Sequence, residues 1–165
     1  MELLIVRHAI AFERDARRWP DDGERPLSPQ GIARAQKAAA GMKQLVLSPA
    51  RVLVSPLARA RQTAAILTEL ARWPKATDCA ELAPGGPPEA LLALLKRMPE
   101  TRIAVIGHEP GLGRLVAASL PGSAGAQGFR FKKMGSALLT FPGGVRPGGA
   151  TLTWLVPARV LRAAR

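Results

Sequence analysis

The chain has 165 residues, 47% hydrophobic and 22% charged, with a formal net charge of +12. That length builds one domain with a real core, so residues 1–165 are expected to form a single domain. No apolar run is long enough to span a membrane. Leu3–Val6 is too short for a signal-peptide core. The lone Cys79 excludes an internal disulfide, so a reducing, cytoplasmic location is expected.

In chain order, Leu3–Val6 is a short β-branched and leucine run that predicts a central strand. Ala9–Pro26 is polar, with turn signals at Trp19–Gly23, and predicts a long loop. Ser28-Pro29 reads as an N-cap followed by proline at the first helical position, opening a helix whose apolar face is Ile32, Ala35, Ala39, Met42 and Val46. Val52–Val54 is the next strand. Ser55-Pro56 repeats the cap-and-proline signal and opens a helix with Ala60, Ala64, Leu67 and Ala71 on one side. Ala76–Leu82 is a weaker strand, and Pro88–Met98 a short leucine-rich helix. Ile103–Ile106 is a strong strand, and Pro110-Gly111 opens a helix through Leu120. Ser123–Gly128 is small and flexible in composition. Ala137–Phe141 and Thr151–Val156 predict a final hairpin. The alternation implies an α/β fold: a three-layer αβα sandwich with a mainly parallel sheet and an antiparallel edge hairpin.

The chain has only two histidines, His8 and His108, and each directly follows a predicted strand. Open α/β sheets bind ligands outside the carboxyl ends of their strands, so the two ends are read as one site. Arg7 ends the first strand. Arg59 falls in the first turn of its helix, where side chains lean back toward the N-terminus and its unpaired N–H groups. Two guanidinium groups there suit a phosphoryl anion. They also favour neutral imidazole, leaving His8 a ring nitrogen free to attack phosphorus, with His108 donating to a phosphoryl oxygen. No cofactor and no metal are expected, since neither histidine has a ligand partner at helical spacing. Cys79 is not a phosphatase nucleophile of the Cys-x5-Arg kind, because position 85 is glycine, and is expected to be a small buried residue.

Three segments taken together, Val6-Arg7-His8-Ala9, Ser55-Pro56-Leu57-Ala58-Arg59-Ala60-Arg61-Gln62-Thr63 and Gly107-His108-Glu109-Pro110-Gly111, resemble the histidine phosphatase superfamily, or phosphoglycerate-mutase-like fold. The resemblance implies that His8 is the phosphorylated nucleophile and that Arg7, Arg59 and His108 form the phosphate pocket. The short chain, Ala9 after the Arg-His pair, and Arg25-Pro26-Leu27-Ser28-Pro29-Gln30-Gly31 are most similar to the phosphohistidine phosphatases of the SixA type. That branch implies a phosphorylated protein as substrate and an uncapped site.

No residue stands out as general acid. Glu81 falls where relatives place a catalytic glutamate and is the first candidate, followed by Asp22 and then Glu109. A phosphohistidine substrate demands less of an acid, because imidazole can leave protonated. The alternative is a phosphatase for a small phosphoester metabolite. A remote one is a polyanion- or nucleic-acid-binding module, for which Phe129-Arg130-Phe131-Lys132-Lys133 is the nearest approach to basic residues interleaved with aromatic platforms. A monomer without membrane attachment is expected. After Glu109 the chain has no acidic residue while basic ones recur, a distribution that attracts phosphate-rich or acidic partners.

Overall fold

The computed structural model describes residues 1–122 and 128–164; the predicted flexible stretch at 123–128 falls almost wholly outside them. Six strands form one sheet: β1 Glu2–Arg7, β2 Arg51–Val54, β3 Thr77–Asp78, β4 Arg102–Gly107, β5 Ser136–Thr140 and β6 Thr151–Val156, in the order β3-β2-β4-β1-β5-β6. The first four in that order run parallel, while β5 pairs antiparallel with both β1 and β6. This is the expected mainly parallel sheet with an antiparallel edge hairpin.

Among the described residues, five helices cover it: α1 Pro29–Leu45, α2 Ala58–Ala71, α3 Pro88–Lys96, α4 Gly111–Ser119 and α5 Ala158–Ala163. The central strands are apolar on both sides because both sides are covered. Leu4 and Val6 of β1, with Ala104 and Ile106 of β4, pack against Ala35, Ala39 and Met42 of α1, Ala60, Ala64 and Leu67 of α2, and Leu161 of α5. Leu3, Ile5, Ile103 and Val105 face the other way, onto Leu91, Leu92 and Leu95 of α3 and Leu112, Leu115 and Val116 of α4. Each fully buried leucine or isoleucine contributes about 1.5–3 kcal/mol, so these two layers dominate the stabilising terms.

Four expectations need correction. Ser28 does cap α1, accepting from Gly31 N at 3.0 Å, but Ile32 is exposed, and Gly31, Ala38 and Gly41 join the buried face instead. The buried stripe shifts toward the small residues because Gly31 lies against the backbone of Ile10 and Gly41 against that of Leu161 in α5. Ser55 is not an N-cap: α2 begins at Ala58, its N-cap is Leu57 and no side chain caps it. The predicted strand at 76–82 shrinks to Thr77–Asp78, followed by a 3-10 turn over Ala80–Leu82, because only Leu53 and Val54 of β2 offer it a register. Finally, α5 has no counterpart in the expectations; it spans only six residues and buries just Ala158 and Leu161, too little periodicity to stand out.

β1 and β4 are neighbours, yet the chain leaves β1 toward the α1 layer and β4 toward the α4 layer. This is a topological switch point, where a crevice opens between diverging connections. Arg7 and Gly107 are paired in register at that edge, so His8 and His108 emerge side by side.

Candidate active site

His8 and His108 are both buried, with ring centroids 4.8 Å apart and planes inclined by 50°. The His8 ring is held at both nitrogens. Nδ1 lies 2.7 Å from the carbonyl oxygen of Ala9, which can only accept, so Nδ1 carries the proton. Nε2 is therefore the unprotonated nitrogen, and it lies 3.1 Å from the ammonium of Lys133. The Ala9 peptide is itself fixed: its N–H donates to Thr63 Oγ1 at 3.0 Å, and that hydroxyl donates to Arg59 O at 2.7 Å. Thr63 thus ties the loop that carries His8 to the helix that carries Arg59.

Burial pushes the His8 imidazole down to about 2, and the charges of Lys133, His108 and Arg59 act in the same direction. His108 is pushed down to about 3, again chiefly by burial, then by Arg59, Lys133 and Arg7. Both rings are neutral at physiological pH. His108 Nε2 shares a 2.8 Å hydrogen bond with the buried Ser55 hydroxyl, which explains what Ser55 does in place of capping α2.

Arg59 is buried. One terminal nitrogen donates to Asp22 O at 2.8 Å and the other lies 3.2 Å from Asp22 Oδ2. Arg7 donates to Phe131 O at 2.5 Å. The Nε of each arginine is buried without a hydrogen-bond partner. Buried donors are normally satisfied, so two unsatisfied guanidinium N–H groups beside a pair of neutral histidines fit an oxyanion.

Lys133 is the residue the motifs did not single out. The chain reaches it through Met134, which is held at φ 58, a left-handed conformation disfavoured for a residue with a Cβ. Met134 N donates to His8 O at 3.3 Å, and Gly135 N to Lys132 O at 2.7 Å, closing a tight turn just before β5. Burial and the charges of Arg7, Arg59 and Arg25 bring the Lys133 ammonium down to about 8. The sole sequence signal was its place in a basic segment two residues after Phe131.

The three acid candidates all have other partners. Asp22 accepts from Arg25 at 2.8 Å and from Arg14 at 3.3 Å and pairs with Arg59; the hydrogen bond from Arg25 is the largest influence keeping its carboxyl far below the usual range. It is an ionised clamp on Arg59, not an acid. Glu109 accepts from Gly113 N at 3.0 Å and Phe131 N at 2.5 Å, anchoring the segment that leads to Lys133, so it too is a structural carboxylate. Glu81 sits in the 3-10 turn beside a narrow crevice of about 20 Å³ that it shares with His108. Hydrogen bonds from its own backbone and from Cys79 Sγ, the latter at 3.2 Å, hold it below its ordinary value. Cys79 is buried, and its thiol is pushed up to about 12, chiefly by burial. Among the described residues no group of three or more His, Cys, Asp or Glu could hold a metal ion, and no helix is long and apolar enough to cross a membrane.

A sequence model of the histidine phosphatase superfamily (branch 1) matches residues 3–83, a span that includes Arg7, His8 and Arg59. A solved structure of the protein histidine phosphatase SixA complexed with tungstate superposes with a TM-score of 0.84 at 29% identity, covering 98% of this chain and 99% of that one. The chain belongs to the histidine phosphatase superfamily. As a member it is a phosphatase. An uncharacterised protein of Picosynechococcus sp. is 37% identical over 155 residues, 92% of this chain and 88% of that one. The alpha-ribazole phosphatase of Shigella flexneri shares the phosphoglycerate-mutase-like fold, with a TM-score of 0.70 at 20% identity over 94% of this chain and 96% of that one. The matched span contains His8, and the switch-point geometry brings His108 beside it.

Proposed function

We propose that this phosphatase removes the phosphoryl group from phosphohistidine on a protein, through a covalent intermediate on His8. The observation that carries the reading is the state of the carboxyl groups. Asp22 and Glu109 are committed to arginine and backbone partners, and Glu81 is held below its ordinary value. A phosphoester needs a proton delivered to its departing alkoxide, whereas a phosphoimidazole protonated on its distal nitrogen departs as neutral imidazole. The site suits the second leaving group. The likeness to SixA, named as a protein histidine phosphatase, supports the same substrate class.

In the first step, the lone pair of His8 Nε2 forms the new P–N bond while the P–N bond to the substrate imidazole breaks and that imidazole leaves. The proton on Nδ1, held by Ala9 O, stays in place, so phospho-His8 is oriented for the second step. There, water attacks phosphorus, the bond to Nε2 breaks, the water's proton passes to solvent, and phosphate leaves. Arg7, Arg59 and His108 bind the equatorial oxygens throughout, with the Lys133 ammonium as a further cation. Stabilisation by pre-positioned cations and donors is the main source of rate in phosphoryl transfer.

The test pairs a phosphohistidine-bearing carrier protein with p-nitrophenyl phosphate, assayed with the wild type, His8→Ala and Glu81→Gln. Rapid loss of phosphohistidine that survives Glu81→Gln but not His8→Ala supports the reading, as does an acid-labile phosphoenzyme absent from His8→Ala. Efficient ester turnover that falls in Glu81→Gln, with phosphohistidine untouched, moves the protein to the metabolite phosphatases with Glu81 as acid.

A further inference from the structure

Two open depressions flank the phosphate pocket, and their charges differ. The wider, about 890 Å³, begins at Arg7 and mixes signs, with Glu89 and Glu109 among Arg114, Arg130 and Lys132, the last shared with the other depression. The other, about 480 Å³, runs between α1 and α5 and reaches Lys133. Its charged lining is cationic throughout: Arg34 from α1, Lys132 from the turn before β5, and Arg159 and Arg162 from α5. Met134 and Ala158 contribute apolar floor. Arg34, Lys132 and Arg159 are exposed. Lys133 thus belongs both to this groove and, through its 3.1 Å contact with His8 Nε2, to the reaction centre.

We propose that the α1–α5 groove docks an acidic segment flanking the phosphohistidine of the substrate protein, a proposal that rests on the phosphohistidine reading. Four cations drawn from two helices and a turn, over an apolar floor, exceed what one phosphoryl group needs, since Arg7, Arg59 and His108 already serve it. Their spread matches several carboxylates along an extended chain. Like-signed charges lining a concave surface concentrate a field that draws in the opposite sign and fixes its register. The mixed-sign groove on the other flank, with two carboxylates among its cations, has a weaker preference. α5 contributes two of the four cations, so this short helix is a specificity element in addition to covering the sheet.

Two synthetic phosphohistidine peptides, identical except that four flanking residues are Glu in one and Gln in the other, test this. Wild-type enzyme at low salt is expected to favour the Glu peptide about tenfold in kcat/KM, mostly through KM, with the preference shrinking as salt screens the field. Arg34→Glu combined with Arg159→Glu removes or reverses the preference, and the gentler Arg34→Gln with Arg159→Gln reduces it. Lys75→Glu with Lys96→Glu, which changes net charge equally but lies outside the groove, retains it. Equal turnover of the two peptides by wild type, or an equal loss of preference in the Lys75/Lys96 control, overturns the docking site while leaving the phosphohistidine reading intact. Failure to dephosphorylate either peptide, with p-nitrophenyl phosphate still hydrolysed, overturns both.

Discussion

The ammonium of Lys133 lies 3.1 Å from His8 Nε2, the ring nitrogen that the Nδ1–Ala9 contact leaves without a proton. In the proposed mechanism, a cation beside the attacking atom keeps that atom unprotonated and becomes a ligand for the phosphoryl group once it arrives. Lys133→Met is therefore expected to lower kcat/KM by about 10²–10³, the usual effect of deleting one positioned transition-state donor, and Lys133→Arg to restore part of it. Because burial brings this ammonium down to about 8, wild-type kcat/KM should fall above that pH as the charge is lost. In Lys133→Met that alkaline limb should vanish. A pH profile with the limb unchanged in the variant assigns it to another group.

Ser55 shares a 2.8 Å hydrogen bond with His108 Nε2, and both side chains are buried. Ser55→Ala leaves that nitrogen without its partner and loosens control over which ring nitrogen carries the proton. We expect kcat to fall about tenfold with a stability loss of about 1–3 kcal/mol, the range for orphaning a buried polar group. His108→Ala should lower kcat/KM further. Steady-state kinetics with a denaturant titration of each variant separates the two effects.

The neutral histidines make stability depend on pH in a defined direction. Unfolded, each titrates near 6.5; folded, His8 is pushed down to about 2 and His108 to about 3, chiefly by burial. Above about pH 6.5 neither state binds these protons and the contribution is flat. Between there and about pH 3 only the unfolded chain takes them up, so stability falls as pH falls, by up to about 1.4 kcal/mol per pH unit for each histidine. Urea midpoints from pH 7 to 4.5 should drop steeply in the wild type and less so in His8→Asn.

Gly41 lets α5 lie against α1. A Cβ at Gly41 would stand 1.7 Å from Leu161 O and 2.8 Å from Ala164 O, both backbone atoms with little room to retreat. Gly41→Ala is expected to destabilise by about 1–3 kcal/mol despite alanine's better helix propensity, because the helices must separate. Thermal melts check the loss. Amide exchange in residues 158–163 should accelerate more than in β1 or β4.

Residues with local signals were legible in the sequence; those placed by distant chain were not. β1 and β4 announce themselves as short apolar runs, and His8 and His108 follow them directly, so their meeting at one edge could be read without a structure. Lys133 has no such cue. It reaches His8 because β5 pairs antiparallel with β1 and Met134 turns the chain back, neither of which leaves a periodic pattern in the sequence around position 133. Ser55 misled for a related reason. A serine before proline usually caps, but here its hydroxyl is engaged by a histidine 53 positions away, and α2 starts three residues later. Glu109 and Asp22 were chemically plausible acids until their arginine and backbone partners were visible.

The register of Arg7 with Gly107 has a broader implication. Each histidine is one residue beyond a paired position on adjacent strands, so the two backbones start about one strand spacing apart, and the rings end with centroids 4.8 Å apart. The backbone separation of the two histidines is thus a ruler built into strand hydrogen bonding, and the contacts with Ala9 and Ser55 then aim the rings. Insertions in the connection at residues 79–87, which lies at the same end of the sheet beside His108, can lengthen or reshape the rim without moving that ruler. Substrate choice is free to vary through such changes while the chemistry beneath stays calibrated.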